Sequence, residues 1–142
     1  MKRFGKLIGC LLIVGVLFGA MNVSASDDNI AYSFSVNAFL GESRSPYGRY
    51  RQTTNVNNKW KVNLRSTTEG SGNGNGNITT FYLGNYDWGK ASADINAPQG
   101  SGNHYLSAFS NASQSTVYLT AINNNYSISS YNISGYWDEE TN

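Results

Sequence analysis

The chain has 142 residues, with ten Lys and Arg against nine Asp and Glu, one Cys and one His. This near-neutral balance provides no bulk attraction to a polyanion, so we do not expect nucleic acid as a partner. One Cys and one His are too few ligands for a zinc site, and we expect neither a bound metal nor a cofactor.

Residues 1–25 have the pattern of a secretory signal peptide. A basic start precedes an uncharged apolar run, which ends in the small-residue cleavage pattern Val23-Ser24-Ala25. Cleavage after Ala25 would remove Cys10 and leave residues 26–142 as a single secreted domain with a net charge of about −2. The apolar run is short for a spanning helix, so we expect no membrane span in the mature chain; an uncleaved anchor is the alternative.

Short runs of alternating apolar and polar residues follow, separated by Gly, Asn, Ser and Pro. The predicted strands cover residues 30–38, 47–54, 59–65, 78–83, 91–95 and 104–109, with a two-stranded hairpin over 115–137. Predicted loops cover residues 41–46, 70–77 and 97–102. Seven or eight short strands without a helix predict an all-β fold, an antiparallel β-sandwich, with a small barrel as the alternative.

The stretch 115–137 has the clearest pattern, because it alternates, turns on an Asn run and alternates again. We expect its two arms to face one core through six apolar residues: Val117, Leu119, Ala121, Tyr131, Ile133 and Trp137. Gly135 in the second arm predicts either a local bend or the close approach of a neighbouring strand.

No set of residues has the complete pattern of a catalytic site. The single His104 is not accompanied by a nucleophile-elbow pattern around any Ser. A glycosidase needs two carboxylates on facing walls of a cleft, whereas most acidic residues here lie in predicted loops or near residues 138–140. We therefore predict that the protein is not an enzyme, with a carboxylate-dependent hydrolase as the least favoured alternative.

Basic residues are concentrated in one segment, in which five of the seven that follow residue 25 lie between positions 49 and 65. They are Arg49, Arg51, Lys59, Lys61 and Arg65. If the last three share the outward face of a strand, they form a basic stripe that could bind an anionic cell-wall polymer or a lipid headgroup. Alternatively, the outward charges keep an edge strand soluble, and the acidic segment 138–140 could neutralise the stripe within the molecule.

Aromatic residues in predicted turns suggest carbohydrate binding. Tyr86 and Trp88 lie in the turn 84–90, and Tyr47 and Tyr50 flank another turn. Aromatic rings stack on sugar faces, although Tyr side chains also cover a core with the hydroxyl outward. The candidate ligand-binding residues are therefore Arg49, Tyr50, Arg51, Lys59, Lys61, Arg65 and Trp88.

Several long segments are distinctive as strings: YRQTTNVNNKWKVNL, GSGNHYLSAFSNASQSTVYLTAINNNYS and the ending SGYWDEETN. Through them the chain resembles a family of small secreted proteins of Gram-positive bacteria that is classed only as a domain of unknown function. The resemblance is strongest from Arg49 onward. It implies export and a single β-rich domain, and it transfers no catalytic or binding residue.

We expect a secreted, non-enzymatic β-sandwich that binds at the cell envelope or to an extracellular partner. The candidate partners are an anionic cell-wall polymer, a carbohydrate or another extracellular protein. A bacteriocin-like antagonistic protein is the main alternative. It is supported by similarity, in size and in aromatic β-rich composition only, to secreted bacteriocins of the lactococcin type.

Overall fold

The computed structural model describes residues 27–70 and 77–141, and these ranges contain nine strands and a short 3-10 helix, Ser110–Ala112. The strands are β1 (Ile30–Val36), β2 (Glu42–Arg44), β3 (Arg49–Arg51), β4 (Trp60–Thr67), β5 (Ile78–Gly84), β6 (Ile95–Pro98), β7 (His104–Leu106), β8 (Ser115–Asn123) and β9 (Tyr131–Asp138). The predicted signal peptide and most of the predicted loop 70–77 lie outside the described residues. None of the described helical turns is long and apolar enough to cross a membrane.

The strands form two antiparallel sheets, which confirms the predicted all-β fold. One sheet has the order β1-β9-β4-β7, and the other has the order β2-β8-β5-β6. The short strands β2 and β3 pair with successive parts of β8, at Thr120–Ile122 and Ser115–Val117 respectively. The two sheets share one hydrophobic core, as expected for a sandwich.

The core is built from alternate residues of the longer strands. Its fully buried side chains include Trp60, Val62, Leu64, Phe81, Leu83, Leu119, Ile133 and Trp137. Each strand has one face toward the other sheet, so every second side chain is removed from water. Burying a large apolar side chain contributes about 1.5–3 kcal/mol, and this set therefore dominates the stability of the fold.

The predicted hairpin over residues 115–137 is wrong, because its two arms belong to different sheets. β8 pairs with β2, β3 and β5, whereas β9 pairs with β1 and β4. The expectation that both arms face one core is confirmed. Alternation reports which face of a strand is buried, and it carries no information on which strand is the hydrogen-bonded neighbour.

Apart from shifts of one to three residues at the ends of other strands, two further segments differ from the prediction. The expected loop 41–46 contains β2, and the expected strand 91–95 is replaced by β6, which runs into the expected loop 97–102. β6 is the outer strand of its sheet in the described part of the chain, where its last residue, Pro98, is tolerated. Residues 91 and 92 are buried although they belong to none of the nine strands. The N–H of Ala91 donates to the Leu83 carbonyl, which ties this segment to β5.

Gly135 stands where β9 passes close to β4, as the sequence predicted. A Cβ atom at this position would lie 1.9 Å from the carbonyl oxygen of Asn63 and 2.9 Å from the hydroxyl oxygen of Tyr32. The pairing of β4 with β9 also shifts register between Leu64 and Ser66, beside this contact. The absence of a side chain therefore allows the two central strands to adopt their observed spacing.

Candidate functional site

Arg51 is not available to a ligand, which corrects its assignment as a binding residue. It is only 1% exposed. Its guanidinium donates to the carbonyl oxygens of Glu139 and Asn58, and to that of Asn55 at 3.1 Å. The neighbouring Tyr50 is 54% exposed, so the alternation of β3 turns Arg51 inward.

Lys61 was expected on an outward basic stripe and is also only 1% exposed. It stands opposite Asp138 in the pairing of β4 with β9, and its ammonium forms an ion pair with the carboxylate of Asp27. The segment before β1 therefore covers this part of the sheet. Lys59 and Arg65 remain exposed, but Lys61, which lies between them in the predicted stripe, is buried.

The acidic residues of the segment 138–140 act on Arg49 and Arg51 of β3, whereas the sequence predicted that they neutralise the stripe of Lys59, Lys61 and Arg65. The Arg49 Nε lies 3.1 Å from a carboxylate oxygen of Glu139. The Glu140 carboxylate accepts hydrogen bonds from the backbone N–H groups of Gln52 and Thr53, at 3.1 and 2.9 Å. Burial lowers the pKa of Arg51, and the nearby acidic groups oppose that shift. These contacts hold the end of the chain against β3.

Asp138, the last residue of β9, directly precedes Glu139 and is almost completely buried. Burial raises the pKa of its carboxyl to about 6, and the charge of Glu139 acts in the same direction. The Lys61 ammonium opposes the shift in pKa. So do the backbone N–H groups of Asp28 and Glu140, which donate hydrogen bonds to the Asp138 carboxylate at 2.6 and 3.2 Å. The protonated form of the Asp138 carboxyl is therefore more favoured in the folded protein than it is in water.

This shift predicts a pH-dependent stability. The contribution of a raised carboxyl pKa is fully present below the ordinary value of 3.8 and is lost as the pH rises through about 6. The free energy of unfolding of the wild-type protein should therefore fall by roughly 2–3 kcal/mol relative to that of Asp138→Asn between about pH 4 and about pH 8. Urea unfolding of both proteins across this range measures the difference. Identical pH profiles would show that folding does not raise the pKa of Asp138.

A different cluster of side chains lies on the outer face of the five-stranded sheet. Arg44 of β2 stands opposite Thr120 of β8, and its guanidinium carbon lies 3.4 Å from the centre of the Trp88 ring. The ring of Tyr118 lies 4.9 Å from the same carbon. Arg44 Nη1 also donates to the carbonyl oxygen of Tyr86 at 3.2 Å. Arg44 therefore fixes the turn 85–88 against the sheet.

Trp88 has an unusual backbone conformation for a bulky residue. Its φ is +67°, in the left-handed region that non-glycine residues seldom occupy. The turn is closed by the Trp88 N–H, which donates to the Asn85 carbonyl at 3.1 Å, and by the Asn85 N–H, which donates to the Gly89 carbonyl at 2.8 Å. The side chain is nevertheless 50% exposed. Local backbone strain of this kind is concentrated at functional sites.

Two tyrosines extend the exposed aromatic area. Tyr86 is 81% exposed, and it lines a shallow depression of about 460 Å³ with Asn85, Asp87 and Thr116, among other residues. Tyr50 stands directly opposite Thr116 in the pairing of β3 with β8. We define the aromatic surface as Arg44, Tyr50, Tyr86, Trp88 and Tyr118.

Gly48 contributes to this surface by being small. A Cβ atom at Gly48 would lie 2.8 Å from the Tyr118 ring and 2.6 Å from the Thr116 methyl group. The ring of Tyr118 can therefore lie against the backbone between β2 and β3.

The structure thus brings Tyr50 and Trp88 to the same sheet face and separates them from the other candidates. Arg65 belongs to β4 in the other sheet, and Lys59 precedes that strand. Tyr47 lines a separate cleft of about 180 Å³ beside β1. Arg44 and Tyr118 were missed, because the sequence placed Arg44 in a loop and gave no signal that joins residue 44 to residue 88.

Most of the carboxylates considered for a hydrolase make structural contacts. Glu69 accepts hydrogen bonds from Ser127 and from Asn125 at 2.9 Å, and Asp94 pairs with Lys90 at 2.6 Å. In residues 27–70 and 77–141 there is no group of three or more His, Cys, Asp or Glu side chains that could hold a metal ion. None of these contacts assigns an acid or base role.

Comparison with known proteins places the chain in a family without an assigned activity. No curated protein matches it. The family model described as "Protein of unknown function (DUF2712)" matches residues 20–141, a range that contains all nine described strands. The resemblance to a domain of unknown function is confirmed, and the chain belongs to the DUF2712 family.

Proposed function

We propose that this protein is an exported, non-catalytic binding protein that attaches to carbohydrate through the aromatic surface. The observation that carries the proposal is the half-exposed indole of Trp88, held in place by the Arg44 guanidinium 3.4 Å from its ring centre. Aromatic rings present a flat apolar face to the C–H groups of a sugar ring, which makes Trp and Tyr suitable contacts for polysaccharide.

The contact between Arg44 and Trp88 favours ligand binding, because a ring that is already held in place loses little conformational freedom when a ligand binds. Arg44 contacts the indole and also holds the turn through the Tyr86 carbonyl. The exposed side chains of Tyr86 and Tyr50 add aromatic area on the same sheet face.

Polar groups beside the rings can contribute hydrogen bonds to sugar hydroxyls. The depression next to Tyr86 is lined in part by Asp87, Asn111, Ser115 and Thr116. A few polar groups among aromatic contacts are the usual composition of a site that fixes the orientation of its ligand.

The charge distribution favours a neutral glycan over an anionic polymer. Lys61 and Arg51 are buried, Arg49 is paired with Glu139, and Lys90 is paired with Asp94. The Arg44 guanidinium lies close to two aromatic rings. We therefore expect binding to depend weakly on salt, since screening weakens charge-driven attachment far more than ring stacking.

The test is retention on insoluble glycans and on isolated wall sacculi across a salt series. Trp88→Ala should weaken retention by about tenfold or more, as expected for the loss of a central aromatic contact. Tyr126→Ala is the matched control, because Tyr126 is also an exposed aromatic residue with positive φ but lies in the connection between β8 and β9.

The control variant should bind like the wild-type protein, and both variants should keep a cooperative unfolding transition. Retention of a folded Trp88→Ala variant at the wild-type level would contradict the proposal. Retention that disappears with salt and is unchanged in Trp88→Ala would instead assign binding to the exposed basic residues.

A further inference from the structure

One sheet edge differs from the others in length and composition. β1 has seven residues and no charge, Gly or Pro, in the sequence IAYSFSV. The other outer strands of the described sheets are β2, β3, β6 and β7, with three or four residues each. They carry charged residues, His104 or Pro98. Short length, charge and proline are the devices by which proteins prevent edge-to-edge pairing, and β1 has none of them.

The free side of β1 has backbone groups that need partners. In residues 27–70 and 77–141, β1 pairs with β9 alone. Every second residue of such an outer strand directs its N–H and C=O groups away from the sheet, where another strand can bind them.

The sequence of β1 matches itself when it is read in the opposite direction. About Ser33 as a centre, an antiparallel copy places Ile30 opposite Val36 and Tyr32 opposite Phe34. The core-facing positions then pair aliphatic with aliphatic and aromatic with aromatic residues, which are favourable cross-strand pairs. Asp27 and Asp28 precede the strand, so the two copies would carry them at opposite ends of the pairing.

Apolar surface remains open beside this edge. Ile30 and Phe34 are only partly buried, although both pack against the core. Next to β1 lies the cleft of about 180 Å³, whose lining includes Ile30, Tyr47 and Trp137. A second strand on this edge would cover part of that surface.

We propose that the free edge of β1 pairs with the same edge of a second copy and forms a two-fold symmetric dimer. The two four-stranded sheets would then be continuous, and Ser33 would lie on the symmetry axis. A symmetric interface needs a surface that is complementary to itself, which the pattern of β1 provides. The aromatic surface belongs to the other sheet and stays free, so a dimer would offer two such surfaces to one ligand.

Sedimentation velocity over a range of protein concentrations tests the proposal. Because all nine described strands lie between Ile30 and Asp138, the experiment can use residues 26–142. The wild-type protein should form a dimer. Ser33→Lys places two like charges opposite each other at the symmetry axis and should weaken association by about tenfold or more. Ser33 is exposed in the monomer, so the fold should tolerate the change.

Ser66→Lys is the matched control, since Ser66 is also exposed and lies in β4 of the same sheet, away from the free edge. It should associate like the wild-type protein. Ser33→Glu alone should weaken association in the same way, and a mixture of Ser33→Lys with Ser33→Glu should restore the dimer through opposite charges. A monomeric wild-type protein, or a Ser33→Lys variant that associates as strongly as the wild-type protein, would overturn the proposal.

Discussion

Replacement of Gly135 by Ala is expected to destabilise the protein by about 3 kcal/mol or more. The added methyl group would lie 1.9 Å from the carbonyl oxygen of Asn63, a distance far below van der Waals contact. The obstructing atom is backbone, and β9 is held by β1 on one side and β4 on the other. Neither central strand can move without breaking hydrogen bonds to a neighbour.

Urea unfolding measures this effect, and Gly70→Ala is the matched control. Among the atoms of residues 27–70 and 77–141, a Cβ atom at Gly70 would meet none within 4 Å, so the same substitution should leave the unfolding midpoint almost unchanged. Equal midpoints for the two variants would show that β4 and β9 can separate without penalty, contrary to the structure.

Replacement of Arg51 by Met is expected to cost about 3–5 kcal/mol, the range found when one partner of a buried charged network is removed. Arg51 donates to three carbonyl oxygens from two parts of the chain: those of Asn55 and Asn58 in one turn, and that of Glu139. Met retains much of the apolar volume but leaves these oxygens without their donor. The neighbouring carboxylates of Glu139 and Glu140 also lose a compensating positive charge.

The matched control is Arg65→Met, because Arg65 is exposed on β4 and its replacement should change stability by no more than about 0.5 kcal/mol. Amide hydrogen exchange at Gln52 and Thr53 provides a local measurement, since both N–H groups donate to Glu140. Faster exchange there in Arg51→Met, but not in Arg65→Met, is the expected result. A variant as stable as the control would mean that water replaces Arg51 without loss.

The sequence predicted strand faces better than strand neighbours. Tyr32 and Val36 in β1, and Trp60, Val62 and Leu64 in β4, are buried as their alternation indicated. Lys61 departs from the pattern because Asp27, more than thirty residues away, covers the outer face of its strand. A period of two identifies which residues share a face, and it cannot indicate whether a distant segment covers that face.

The candidate site shows the same limit. Composition and turn signals identified Trp88 and Tyr50 as exposed aromatics. The sequence did not predict that Arg44 contacts Trp88. This contact depends on β2 and β5 lying on either side of β8. Pairings between strands that are distant along the chain follow from the whole topology, so no local pattern in the sequence specifies them.

The pairing of β1 with β9 has a consequence for how the protein is made. These strands are the first and last in the described chain, and Ile30 is paired with Trp137. The four-stranded sheet therefore cannot assemble until β9 has been synthesised and is accessible to β1. Contacts between such distant residues slow folding. During translation, the apolar side chains of β1 therefore lack the contacts with β9 that help to bury them in the folded protein.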